Sequence, residues 1–109
     1  MRFVEEELTR MRMLSKLFKG FADYSRLMIF YALLEGEKSV GELVEETGLS
    51  QSGISNHLKC LRECDLLQDR QENKFVYYNI KDDRARQIIQ LAQQMMSDIS
   101  EEKYQCMKY

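Results

Sequence analysis

The stretch "SVGELVEETGLSQSGISNHLKCLREC", residues 39–64, restricts the fold more than any other part of the chain. Ser39 and Glu42 form a capping box, in which a serine hydroxyl takes the amide three residues on and a glutamate returns to the serine amide. That box predicts a short helix ending near Gly48. Ser50 then offers a second N-cap, followed by Ile54, Leu58 and Leu61 at helical spacing. The link "GLS" is tight, so the two helices read as a helix-turn-helix.

The flanks agree with that unit. From Phe3 to Lys19, apolar residues recur at helical spacing, with Gly20 as a stop, and "SRLMIFYALLEG" predicts a second helix from a Ser25 cap to Gly36. After the helix-turn-helix the period changes. "LLQDRQ" and "KFVYYNI" are short β-type runs around the polar tip "ENK", which predicts a hairpin. "DDRARQIIQLAQQMMSDI" returns to helical spacing with Ile88, Leu91, Ala92, Met95 and Met96 as its stripe, and residues 100–109 carry no pattern. The expected fold is mainly α with a small β-hairpin: a winged helix-turn-helix. One domain should span 1–109, with its core at 18–80, terminal helices at about 3–19 and 83–97, and a tail at 98–109.

With 109 residues there is room for one core, and 44% hydrophobic content with 31% charged residues suits a folded chain. No run reaches membrane-spanning length and the start lacks a signal-type apolar segment, so the expectation is a cytoplasmic protein without a membrane partner. Its three cysteines are then expected to be reduced, and an odd number cannot pair off within one chain. The net charge of −2 does not favour nucleic acid, but it leaves local surfaces undecided. Apolar stripes on both terminal helices point to a homodimer.

At about 100° per residue, Ile54, Leu58 and Leu61 fall on one stripe that must face the core. Ser52, Ser55, Asn56 and Lys59 lie opposite or beside it and suit base edges and phosphates. For an isolated helix, a solvated polar face is the better account; the helix-turn-helix context and the following wing favour double-stranded operator DNA. The candidate contacts are Ser50, Gln51, Ser52, Ser55, Asn56, His57 and Lys59, with Arg70, Asn73 and Lys74 from the wing.

Cys60 and Cys64 occupy the remaining flank at i and i+4, with sulfurs able to converge, and His57 lies near the same line. Free cysteines are commonly small buried hydrophobes, and this pair alone is a weak metal signal. Cys106 in the tail can supply a third thiolate, and thiolate-rich sites select soft metals. A His57–Cys60 catalytic dyad lacks an orienting group, a glycine-rich loop or a nucleophile elbow, so an enzyme is not expected.

The segment from Phe18 to Ile80, above all "SVGELVEETGLSQSGISNHLKCLRECDLL" followed by "FVYYNI", resembles the ArsR/SmtB family of winged-helix repressors. Tyr24 departs from the family, which usually has proline there. The resemblance implies a homodimer paired through its first and last helices, bound to an operator until an inducer arrives. One class of the family carries Cys-x-Cys on the third helix, where this chain has "SVGEL"; another uses Asp and His on the last helix, which here has no histidine. Cys60, Cys64 and Cys106 match one by one the thiolates of the CmtR-type cadmium and lead sensors. Cd(II) or Pb(II) is the implied inducer, while Zn(II) would need a fourth donor such as His57 or water. Two rivals remain open: a switch by thiol oxidation or persulfidation, and a winged helix used for protein contacts.

Overall fold

The structure, a computed structural model, describes residues 2–99. The order is α1 (Glu5–Ala22), α2 (Tyr24–Leu33), β1 (Lys38–Ser39), α3 (Val40–Thr47), α4 (Gln51–Glu63), β2 (Leu67–Glu72), β3 (Phe75–Ile80) and α5 (Asp83–Ser97). The winged helix-turn-helix read from the sequence is present. Three local details differ from it.

First, Gly20 does not stop α1, which continues to Ala22. A Cβ at Gly20 would meet Leu66 Cδ1 at 3.4 Å, an ordinary contact, so the helix simply runs on through this glycine beside Leu66. Second, because α1 overruns, a single residue separates it from α2. Asp23 rather than Ser25 caps α2, taking the Arg26 amide at 3.1 Å, and α2 ends at Leu33, before Gly36. Third, the hairpin is part of a three-stranded antiparallel sheet ordered β1-β3-β2. The short β1 pairs Lys38 with Tyr78 and Ser39 with Tyr77.

The helix-turn-helix is built as its caps dictate. The Glu42 amide donates to Ser39 Oγ (3.2 Å) and the Ser39 amide to Glu42 Oε1 (2.9 Å). Gly48 ends α3 at φ +74°, and the Gly53 amide donates to Ser50 Oγ at 3.1 Å to start α4. Glu72 pairs with Phe75 across a two-residue turn, with Asn73 at φ +57°.

The core gathers Ile29, Phe30 and Leu33 of α2, Leu43 of α3, Ile54, Leu58 and Leu61 of α4, Leu67 and Ile80 of the sheet, and Ala85 and Ile89 of α5. Phe21 joins from α1, its ring 4.8 Å from that of Phe30. Outside this core α1 and α5 keep large apolar side chains in solvent, with Met13 66%, Phe18 53%, Leu91 60% and Met95 65% exposed. They flank a groove of about 540 Å³ lined by Phe18, Leu27, Tyr31, Ile88, Ala92 and Met96.

Two glycines should respond in opposite directions. Gly20→Ala places its methyl at ordinary contact distance and gains helix propensity, about 1 kcal/mol. Gly48→Ala forces a left-handed residue, at a cost of roughly 1–2 kcal/mol. Thermal unfolding should show a higher Tm for the first and a lower Tm for the second; a fall in both would mean that Leu66 cannot accommodate a methyl at position 20.

Candidate nucleic-acid interface and thiol pair

Burial of Ile54, Leu58 and Leu61 sets the rotation of α4 and thereby the other two faces. Gln51, Ser52, Ser55, Asn56 and Lys59 are exposed, as is Ser50 at the cap. Among the described residues, Ser52, Ser55, Asn56 and Lys59 make no side-chain hydrogen bond within the protein, so their polar groups face solvent. Asn73 and Lys74 are exposed at the wing tip. These side chains form one open polar set on α4 and a second on the turn.

Arg70 and His57 are placed differently from the rest. Arg70 donates from Nε to Glu37 Oε2 (2.8 Å), makes a second bond to the other Glu37 oxygen, and lies 5.1 Å over the Tyr77 ring. The hydrogen bonds from Arg70 hold the Glu37 carboxyl below its ordinary range and raise the guanidinium further above neutral pH. Arg70 thus braces the wing against the residue before β1. His57, 25% exposed, turns toward the start of α2. Its Nδ1 accepts from Arg26 Nε at 3.2 Å and its Nε2 lies 3.9 Å from Asp23 Oδ2. Neither Glu37 nor Arg26 carries a local signal in the sequence, since each lies more than thirty positions from its partner.

Cys60 is partly buried within α4, and Cys64 is the exposed residue that caps its end, donating its amide to Cys60 O at 3.1 Å. The two side chains stand one helical turn apart and line the same cavity. Desolvation first, then the charge and hydrogen bond of Cys60, push the Cys64 thiol above its ordinary range, while the Arg26 guanidinium pulls it down. The pair opens into a cavity of about 340 Å³ whose wall includes Lys16 and Lys19 of α1 and Arg26 of α2. Among the described residues, no three of His, Cys, Asp and Glu come together as a metal cluster. Cys106 lies outside the described residues. The neighbouring thiols fit one edge of a soft-metal site, and His57 Nδ1 already accepts from Arg26.

A helix-turn-helix with an open recognition helix and a wing defines a DNA-binding protein by class. Residues 23–69 match the model of the family described as bacterial regulatory protein, arsR family. The chain is 33% identical over 84 residues to a probable mercury resistance operon repressor of Streptomyces lividans, covering 77% of this chain and 67% of that protein. To the transcriptional regulator CmtR of Mycobacterium tuberculosis it is 38% identical over 85 residues, covering 77% and 72%. The structure of reduced HlyU from Vibrio cholerae matches with a TM-score of 0.76 at 34% identity, over 84% of this chain and 97% of that one. The chain belongs to the ArsR family. It is a transcriptional regulator of a non-enzymatic, DNA-binding class, and no helix among its described residues is long and apolar enough to cross a membrane.

The raised Cys64 thiol gives a signed expectation. A neutral alkylating reagent attacks the thiolate, so at pH 7 Cys64 should react more slowly in the folded reduced protein than in urea. The gap should close as pH rises past the thiol range, because both forms are then thiolate. A gap that persists undiminished at high pH would assign the slowness to steric cover instead of ionisation.

Proposed function

We propose that this protein is a cytoplasmic metal-responsive repressor. It holds operator DNA as a homodimer and leaves it when a soft thiophilic ion, Cd(II) or Pb(II), binds Cys60, Cys64 and Cys106. The observation that carries this reading is that two thiols, one helical turn apart on the recognition helix itself, open into one cavity. The relatives lend support: one is a probable mercury resistance operon repressor and another is CmtR. The apolar faces of α1 and α5 suit pairing of two copies, which sets two α4 helices against successive major-groove turns. Within one domain spanning the chain, residues 18–80 carry the DNA-binding core and the terminal helices the dimer contact.

The chemistry follows from the donors. Each thiol releases its proton to solvent as it becomes a ligand, so metal affinity rises with pH. Three thiolates suit a large soft divalent ion, whereas Zn(II) needs a fourth donor. Effector and DNA then act on one rigid element, which is what coupling between two sites requires. The second reading, a switch by oxidation or persulfidation, rests on the same neighbouring thiols and on the exposure of Cys64. Titrating the reduced protein with Cd(II) separates the two. A thiolate-to-metal ultraviolet band that grows in step with DNA release supports the metal reading; release by oxidant or polysulfide alone, with no such band, replaces it.

For DNA, a duplex selected from a random-sequence library serves as probe. Lys59→Ala should weaken binding to all sequences and lower the salt slope by about one. Asn56→Ala should instead relax preference at one base position, at about 1–3 kcal/mol. Unchanged binding in both would place the interface on another face.

For the metal, Cys60→Ser or Cys64→Ser should abolish tight Cd(II) binding and release together. Cys106→Ser should keep the helical pair as a weaker site with a diminished band and a smaller response on DNA, because one metal–sulfur bond is lost along with the entropy cost of ordering the tail. Wild-type affinity, absorption and release in Cys106→Ser would show that the site has no third thiolate from residue 106.

A further inference from the structure

Arg26 reaches both His57 and the thiol flank of α4. Its Nε donates to His57 Nδ1 at 3.2 Å, and the same guanidinium stands in the wall of the cavity holding Cys60 and Cys64. Its backbone is tied as well, because the Arg26 amide donates to Asp23 Oδ2 at 3.1 Å, and that oxygen lies 3.9 Å from His57 Nε2. Asp23, Arg26 and His57 therefore close a ring across the junction between α1 and α2, with the thiol pair at its open side.

A guanidinium carries five donors in a fixed fork and is always charged. In the structure Arg26 Nε uses the imidazole nitrogen as acceptor. Negative charge on the thiol pair offers a stronger partner, since a charge-assisted hydrogen bond is about twice as strong as a neutral one. We propose that Arg26 is a positioning residue that exchanges His57 for the thiol pair when that pair becomes negatively charged, loosening the ring that fixes α4 against the start of α2. This goes beyond the metal reading but rests on its premise that chemistry at Cys60 and Cys64 controls DNA binding. Any effector that leaves charge on the sulfurs would work through the same guanidinium.

The test uses the full chain carrying Cys106→Ser, so that only Cys60 and Cys64 are modified, and needs no metal. Iodoacetate and iodoacetamide each form one S–C bond per thiol, releasing iodide and a proton, and give adducts of nearly equal size. The first adduct is an anion and the second is neutral. His57 is the only histidine, so its imidazole 15N resonances report directly on its partner. Carboxymethylation should move the Nδ1 resonance away from its hydrogen-bonded position and weaken binding to a library-selected duplex by about tenfold relative to the amide adduct, a coupling of ordinary size. In Arg26→Gln the two adducts should give the same His57 spectrum and affinities within about twofold. Arg26→Lys, which keeps the charge, should restore the difference between adducts. Equal effects of the two adducts with Arg26 in place, or an equal difference in Arg26→Gln, would overturn the proposal. Cd(II) binding is read separately from its ultraviolet band, so failure of the metal reading is distinct from failure of the exchange at Arg26.

Discussion

The arrangement of every functional group on α4 depends on the burial of Ile54, Leu58 and Leu61, all essentially removed from solvent. Each such side chain stabilises its buried position by about 1.5–3 kcal/mol. Turning α4 by one residue, about 100°, would expose the whole stripe. A surface polar contact offers about 1 kcal/mol in return, so hydrophobic burial decides the rotation. The polar face and the thiol flank inherit their directions from it. A helix held in this way can present two chemistries at once without either disturbing the other in the resting state.

Charge works under a tighter constraint. The chain carries −2 overall, and several cations near the wing are used internally: Arg62 with Asp69 (3.1 Å), Lys81 with Asp65 (3.1 Å) and Arg70 with Glu37. Among the described residues, Lys59 and Lys74 have no carboxylate partner. If α4 and the wing tip approach DNA as proposed, few phosphates are neutralised per protomer, and non-specific affinity falls with that number. Short donors such as Ser55 and Asn56 then carry a larger share of recognition than they would in a basic protein. Pairing two protomers doubles the phosphate contacts without making either surface basic.

What could be read from the sequence was local. The Ser39–Glu42 box, the Ser50 cap and the Ile54, Leu58, Leu61 stripe involve residues within one or two helical turns, and all three stand in the structure as read. The errors came where distant packing overrides a local signal. Gly20 resembles a helix stop, but α1 runs on through it to Ala22, packed beside Leu66. Ser25 resembles a cap, yet once α1 runs to Ala22 the geometry leaves that role to Asp23. The two-residue β1 has no periodicity of its own and exists through pairing with Tyr77 and Tyr78. The Arg26–His57 and Arg70–Glu37 contacts span 31 and 33 positions, so neither had a spacing signal. Cys106, matched by family resemblance, lies outside the described residues.

The two cysteines also differ in a way that bears on how a ligand could act. Cys60 sits within the regular part of α4, while Cys64 is its terminal cap, with φ −88° and ψ 8°. An ion shared by the two sulfurs is compatible with an intact helix, because i and i+4 side chains lie on one line. A third donor from outside the helix adds a tether that pulls at one end. Rotation of α4 about its axis is resisted by three buried side chains, several kcal/mol in all. Tilting the helix as a rigid body retains most of that burial and is resisted mainly by contacts at its margins, among them the ring of Asp23, Arg26 and His57. A ligand at the thiols would therefore not need to cover the exposed polar residues of α4. If the thiols take a ligand as proposed, it would act more readily by changing where an intact α4 points, against contacts at the junction of α1 and α2.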